Sequence, residues 1–156
     1  MSATYTPLAT TTLGTAVSSI TFGSIPGTYR DLVLVIQANT SAANTVRLRF
    51  NGDAGGNYNQ MTLSSNPIAH GVNQIEVGMI NAQTTTSYMG IANIMDYSAT
   101  DKEKVVIARG DDASFTAIMN VGRWGNTAAI TTILVTTGGA NTFSIGTTMA
   151  LYGIIS

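Results

Sequence analysis

Cysteine is absent from this 156-residue chain, which removes disulfide frameworks, thiolate nucleophiles and thiolate metal sites together. Histidine occurs once, at His70, so a zinc centre built on several His or Cys ligands is not expected. Charge is scarce as well. Asp, Glu, Lys and Arg make up 10% of the residues, against about 25% in an ordinary domain. The apolar share of 44% is ordinary, so this shortage of charge does not signal disorder. A net charge of −1 argues against nucleic acid as a partner, because displacing counterions from phosphates needs clustered Lys and Arg. No apolar run approaches the ~20 residues of a membrane helix. The opening Met-Ser-Ala-Thr-Tyr-Thr-Pro has neither a basic n-region nor an apolar h-region, so no signal peptide is expected. The expectation is a soluble chain made in a cytoplasm, with no membrane partner.

What is abundant is Thr, Ser, Asn and Gly. A surface made of these carries little electrostatic repulsion and selects partners by shape and hydrogen bonding, which favours a subunit of an assembly over a free enzyme. Residues 18–53 set the local pattern. Ile20 and Phe22 share one face of an extended segment, and Gly23 to Gly27, with Pro26, breaks the chain. Leu32-Val33-Leu34-Val35-Ile36 is apolar on both faces, as a central strand is. Val46, Leu48 and Phe50 then alternate with outward Arg47 and Arg49. Asn51-Gly52-Asp53 follows, and Asn-Gly tolerates the positive φ of a hairpin turn.

Further strands are expected at 58–63, 72–80 (interrupted by Gly78, at a bulge), 88–97, 105–109, 129–136 and 149–155. Between them, Phe115, Ala117, Met119 and Val121 alternate with Thr116, Ile118 and Asn120. Gly110-Asp111-Asp112 reads as a turn, and Asp101-Lys102-Glu103-Lys104 is the one dense charge cluster. No window sustains helical periodicity, and β-branched Thr favours strands. The fold expected is an all-β, antiparallel jelly-roll-like β-sandwich of about 8–10 strands without substantial helix. Residues 15–156 form a single domain, and residues 1–14 an extended N-terminal arm lying along a neighbouring subunit.

Candidate sites are few. His70 has no carboxylate near it in sequence and no nucleophile elbow, so a catalytic triad is not expected. Asn51, Asp53, Asn57 and Asn59 offer oxygen ligands at short spacing but too few carboxylates for a tight Ca²⁺ site. Asp96 is the acid nearest an apolar setting, and a glycosidase needs two acids. No catalytic residue, metal or cofactor is assigned, and the chain is not expected to be an enzyme. The candidates for a protein interface are Arg47 and Arg49, whose planar forks suit carboxylates, together with Arg123 and Trp124. Trp124, with Tyr58 and Tyr88, also offers a stacking platform for sugar rings.

The run Ser19 to Leu34 (SITFGSIPGTYRDLVL), then Leu48-Arg49-Phe50-Asn51-Gly52-Asp53 and Asn57-Tyr58, resembles small virion structural proteins of tailed bacteriophages. Arg123-Trp124, Ala128 to Ile133 and Leu151-Tyr152-Gly153-Ile154 are similar to that family's ending. The resemblance implies a β-sandwich protein of the particle, of capsid cement (decoration) or tail-appendage type, with no catalytic motif to carry over. The function expected is a capsid decoration protein on the outer surface of the virion. It would bind the major capsid protein and itself, as a homotrimer. The alternative is a tail-fibre or receptor-binding module contacting host glycan through Trp124.

Overall fold

A computed structural model describes residues 4–63, 69–74, 76–82, 87–112 and 116–155. None of the described residues is helical. Twelve strands run in order: β1 (Tyr5–Thr12), β2 (Ser19–Phe22), β3 (Asp31–Ala38), β4 (Asn44–Phe50), β5 (Tyr58–Leu63), β6 (Ala69–Gln74), β7 (Val77–Ala82), β8 (Tyr88–Met95), β9 (Lys104–Asp112), β10 (Thr116–Trp124), β11 (Ile133–Thr137) and β12 (Thr148–Ile154). They form an eight-stranded sheet ordered β1-β12-β3-β8-β9-β10-β5-β6 and a four-stranded sheet ordered β2-β11-β4-β7.

Setting aside β5–β6 and β9–β10 leaves eight strands. Counted along the chain, they pair as first-eighth-third-sixth and second-seventh-fourth-fifth. That is the doubly wound Greek-key order of a jelly roll. The strand count exceeds the expected range because two inserted hairpins join the same sheet beyond β8 and double its width.

The core lies between the sheets. Leu32, Leu34 and Ile36 of β3, Val46, Leu48 and Phe50 of β4, Ile133 and Val135 of β11, and Met149 and Leu151 of β12 all belong to one buried cluster. Burying each such side chain stabilises the fold by about 1.5–3 kcal/mol. Val33 is buried on the opposite face of β3, between its ladder partners Asn93 and Tyr152. The two-faced apolar run therefore does mark an interior strand.

Several expectations change. Residues 5–12 are not a free arm: they form edge strand β1, paired antiparallel with β12 of the same chain. Gly110-Asp111-Asp112 is not a turn but the end of β9, laddered to β8 and β10. Asn51 (φ 51°) and Gly52 (φ 70°) do form a tight turn, closed by the Asp53 amide donating to the Phe50 carbonyl at 2.9 Å. It joins no hairpin, because β4 and β5 lie in different sheets. The turn carries the chain from one layer to the other. The single strand expected at 72–80 is two, β6 in the large sheet and β7 in the small one; a bulge does lie beside Gly78 within β7, since Val46 pairs with Ile80 and Arg47 with Gly78, leaving Met79 as the extra residue. Phe115 and residues 64–68 and 83–86 lie outside the described residues.

Candidate interaction surface

Trp124 faces inward, opposite Arg123 on the same strand, and is 1% exposed. Its ring stacks on Tyr58 at 6.4 Å between centroids and lies 5.7 Å from Phe50. Its indole N–H donates to Asp53 Oδ2 at 2.7 Å. Tyr58 is also fully buried, and its hydroxyl accepts from the Phe50 amide at 2.9 Å. This cluster seals the end of the sandwich where β4, β5 and β10 converge, so Trp124 and Tyr58 are unavailable as a sugar platform or a partner contact. Tyr88 is likewise buried. The glycan reading loses its aromatic residues.

The Asn51–Asn57 loop is occupied by its own hydrogen bonds. Asp53 accepts from the Gly55 amide at 2.9 Å and from Asn57 Nδ2 at 2.9 and 3.1 Å, besides Trp124. Burial opposes ionisation of Asp53, but the donors Asn57, Trp124, Gly55 and Asn126 outweigh it and hold the carboxyl below its ordinary range. Asn57 turns its amide nitrogen to Asp53, so the loop is a hydrogen-bonded turn. Among the described residues no group of three or more His, Asp or Glu gathers as metal ligands.

The arginines find partners within the chain. Glu76 lies 2.8 Å from Arg49 Nη2 and 3.7 Å from Arg47 Nη1. The planar grip expected for a partner's carboxylate is thus filled by Glu76, on the outer face of the four-stranded sheet. Arg123 pairs with Glu103, its Nη2 lying 2.6 Å from Oε1. That contact raises the Arg123 pKa and lowers that of Glu103. Asp96 is not in an apolar setting: its carboxylate is half exposed, 3.5 Å from Lys102 Nζ. Lys104 leaves the charge cluster and is buried, donating to the Lys102 carbonyl at 2.7 Å and the Thr127 carbonyl at 3.1 Å. Burial pulls its pKa down.

What sequence reasoning missed is the outer face of the large sheet. On β10, Ile118, Asn120 and Trp124 point inward, while Ala117, Met119 and Val121 point to solvent. The β5 residues Met61 and Leu63 stand opposite Val121 and Met119. Met89, Ile91 and Met95 of β8 and Val105 and Ile107 of β9 continue the same layer. Val72 on β6 is 65% exposed, Met89 52% and Met119 42%. Four of the chain's seven methionines (Met61, Met89, Met95 and Met119) stand here. Methionine adapts its shape to a contacting surface.

A solvated antiparallel sheet face is ordinarily polar, and the outer face of the four-stranded sheet largely obeys this, with Thr21, Arg47, Arg49 and Thr136 around a half-buried Leu134. The large sheet reverses the rule over most of its inserted half. A hollow of about 610 Å³ lies in this face, lined by Leu63, Met89, Ile91, Arg109, Asp111 and Met119 among others. His70 stands at the far edge, across from Met61. Clustered exposed apolar side chains make this face the candidate interaction surface. No family model matches the chain, nor does any curated protein or solved structure.

Proposed function

We propose that the chain is a structural subunit of a tailed-bacteriophage particle, a capsid decoration protein that sits on the outer surface and bridges neighbouring major capsid protein subunits. The observation that carries this reading is the apolar outer face of β5, β8, β9 and β10, where Met61, Leu63, Met89, Met119 and Val121 are exposed together. The likeness of residues 19–34, 48–53 and 57–58 to small virion proteins supports this kind of assembly. The work is mechanical: contacts that each bury about 1,200–2,000 Å² act together to hold adjacent subunits. With few charges on the surface, little desolvation opposes such contacts. The side chains with displaced pKa values all have structural roles, as hydrogen-bonded or buried members of the fold, and no catalysis is assigned to them.

Quantitative mass spectrometry of purified particles tests this. The expected result is a copy number in fixed proportion to the major capsid protein, with density on the shell in cryo-EM. A count typical of a minor tail component, with density confined to the tail, overturns it.

A further inference from the structure

We infer that the apolar face of the eight-stranded sheet takes an extended segment of a partner protein, laid along β9 and β10. That segment places a bulky apolar side chain in each of two hollows and carries an acid and a base two residues apart. The inference rests on reading this face as the surface that meets the major capsid protein, and it states the chemistry of what binds there. The first hollow is the one walled by Leu63, Met89, Ile91 and Met119. A second, of about 400 Å³, adjoins it on the same face and is lined by Met61, Val72, Val105 and Val121, with His70 and Arg123. The ladder pair Met119–Leu63 lines the first, and the next outward pair, Val121–Met61, lines the second. On β10 the first takes in residues 117–119 and the second 121–123. Their centres are therefore about four positions, or ~13 Å, apart along the strand. A compact ligand fills one hollow. Two side chains of one extended chain, four or more residues apart, fill both, and side chains seated in pockets supply most of the binding energy of an interface.

Charge sets the rest of the pattern. Arg109 and Asp111 are exposed, line the first hollow and stand at consecutive outward positions of β9. Neither makes an ion pair with a described residue. Arg123, at the second hollow, is already matched by Glu103. Outward positions two apart on a strand are ~7 Å apart, and so are alternate side chains of any extended chain. A segment running along β9 can therefore bring a carboxylate to Arg109, whose guanidinium donates two parallel hydrogen bonds to it, and a cation to Asp111. A wholly apolar partner would cover both charges without pairing them, which is costly. The pair thus selects against such partners as well as for the matching one.

Peroxide footprinting of intact particles against the free chain is the first test. Met61, Met89 and Met119, all exposed in the free chain, should oxidise about tenfold more slowly or less on the particle. Binding of purified chain to capsids lacking it is the second. Ala117→Trp fills the first hollow from an exposed position and should weaken binding about tenfold or more with Tm unchanged. Arg109→Asp and Asp111→Arg, each setting like charges together, should weaken it to a similar extent. Thr21→Trp, exposed on the other sheet, should bind as wild type. A random linear peptide library selected on the immobilised full chain needs no particle. It should enrich peptides with two bulky apolar residues four or more apart and an acid and a base two apart, and Ala117→Trp should release them. Methionines left unprotected on particles that carry the chain, full capsid binding by Ala117→Trp, charge exchanges without effect, or selected peptides lacking the charge pair overturns the inference and leaves the virion reading standing. Peptides of the expected pattern, with no chain found on particles, do the reverse.

Discussion

The Tyr58 hydroxyl ties the two sheets together, and its removal has a pH signature that can be worked out in advance. Tyr58 belongs to the large sheet and Phe50 to the small one. The hydroxyl accepts from the buried Phe50 amide at 2.9 Å. Tyr58→Phe keeps the ring stacked on Trp124 and leaves that amide without its acceptor, at a cost of about 1–3 kcal/mol. For a chain of this length each kcal/mol lowers Tm by about 2–4 °C.

Burial, the largest influence on Tyr58, also pushes its pKa up to about 12. The unfolded chain ionises this group near pH 10, so its contribution is complete below pH 10 and fades as pH rises toward the folded value. The loss is about 1.4 kcal/mol per pH unit over that window. The phenylalanine variant has nothing to lose there. Tyr88 and Tyr97, whose pKa values burial also raises, are present in both proteins and cancel in the difference. Urea unfolding followed by the fluorescence of the single tryptophan should therefore show wild type ahead at pH 7 and the gap closing between pH 10 and 12. An equal gap at pH 8 and pH 11, or no gap at pH 7, would refute the reasoning.

Asp53→Ala should destabilise by about 2–3 kcal/mol, since a charge-assisted acceptor is lost to the buried Trp124 N–H. The Asp53 carboxyl is held below its ordinary 3.8, so its contribution is present above that pH and fades below it. The stability difference between wild type and Asp53→Ala, followed by chemical denaturation from pH 7 down to pH 2, should shrink below pH 4. Asn51→Ala removes a clasp in which the side chain donates to the Ala129 carbonyl at 2.8 Å and accepts from the Thr131 and Thr132 amides at 2.9 and 3.1 Å. We expect a loss of about 2–3 kcal/mol, with Asn51→Gly about 1 kcal/mol milder because glycine suits the positive φ. Equal losses for the two would show that backbone strain plays no part. Gly153→Ala would drive a methyl into the Tyr29 ring, costing about 1–3 kcal/mol. Combined with Tyr29→Ala, the same change should cost much less in a double-mutant cycle.

Period-2 alternation made the inward set of β4 legible, because that strand differs sharply between its faces, and the unbroken apolar run made the interior position of β3 legible. The same periodicity left β10 undecided. There Ala117, Met119 and Val121 alternate with Ile118 and Asn120, and the inward side carries Ile118, Asn120 and Trp124. Alternation divides a strand into two faces without saying which one the fold covers, and here both are apolar enough to be chosen. The burial of Lys104 has no signal in its run of charges, and only the Lys102 and Thr127 carbonyls, brought beside it by the fold, make that burial tolerable.

The candidate surface was least legible of all. A cluster of Met, Val and Ile drawn from β5, β6, β8, β9 and β10 has no signature along the chain, because its members are up to sixty residues apart and meet only through sheet order. Arg47 and Arg49 were visible as an outward pair, but Glu76, their partner, reaches them across the β4–β7 ladder. Sequence alone determined that the chain is all-β, that it has no thiol chemistry, and that Asn51-Gly52 turns sharply. These follow from residue type and local spacing. Tertiary structure alone decided which strands pair, that the Asn51 turn crosses between layers, that Trp124 is enclosed, and that the widest sheet turns an apolar face outward. Each of those depends on contacts between distant segments, whose energy local pattern does not record.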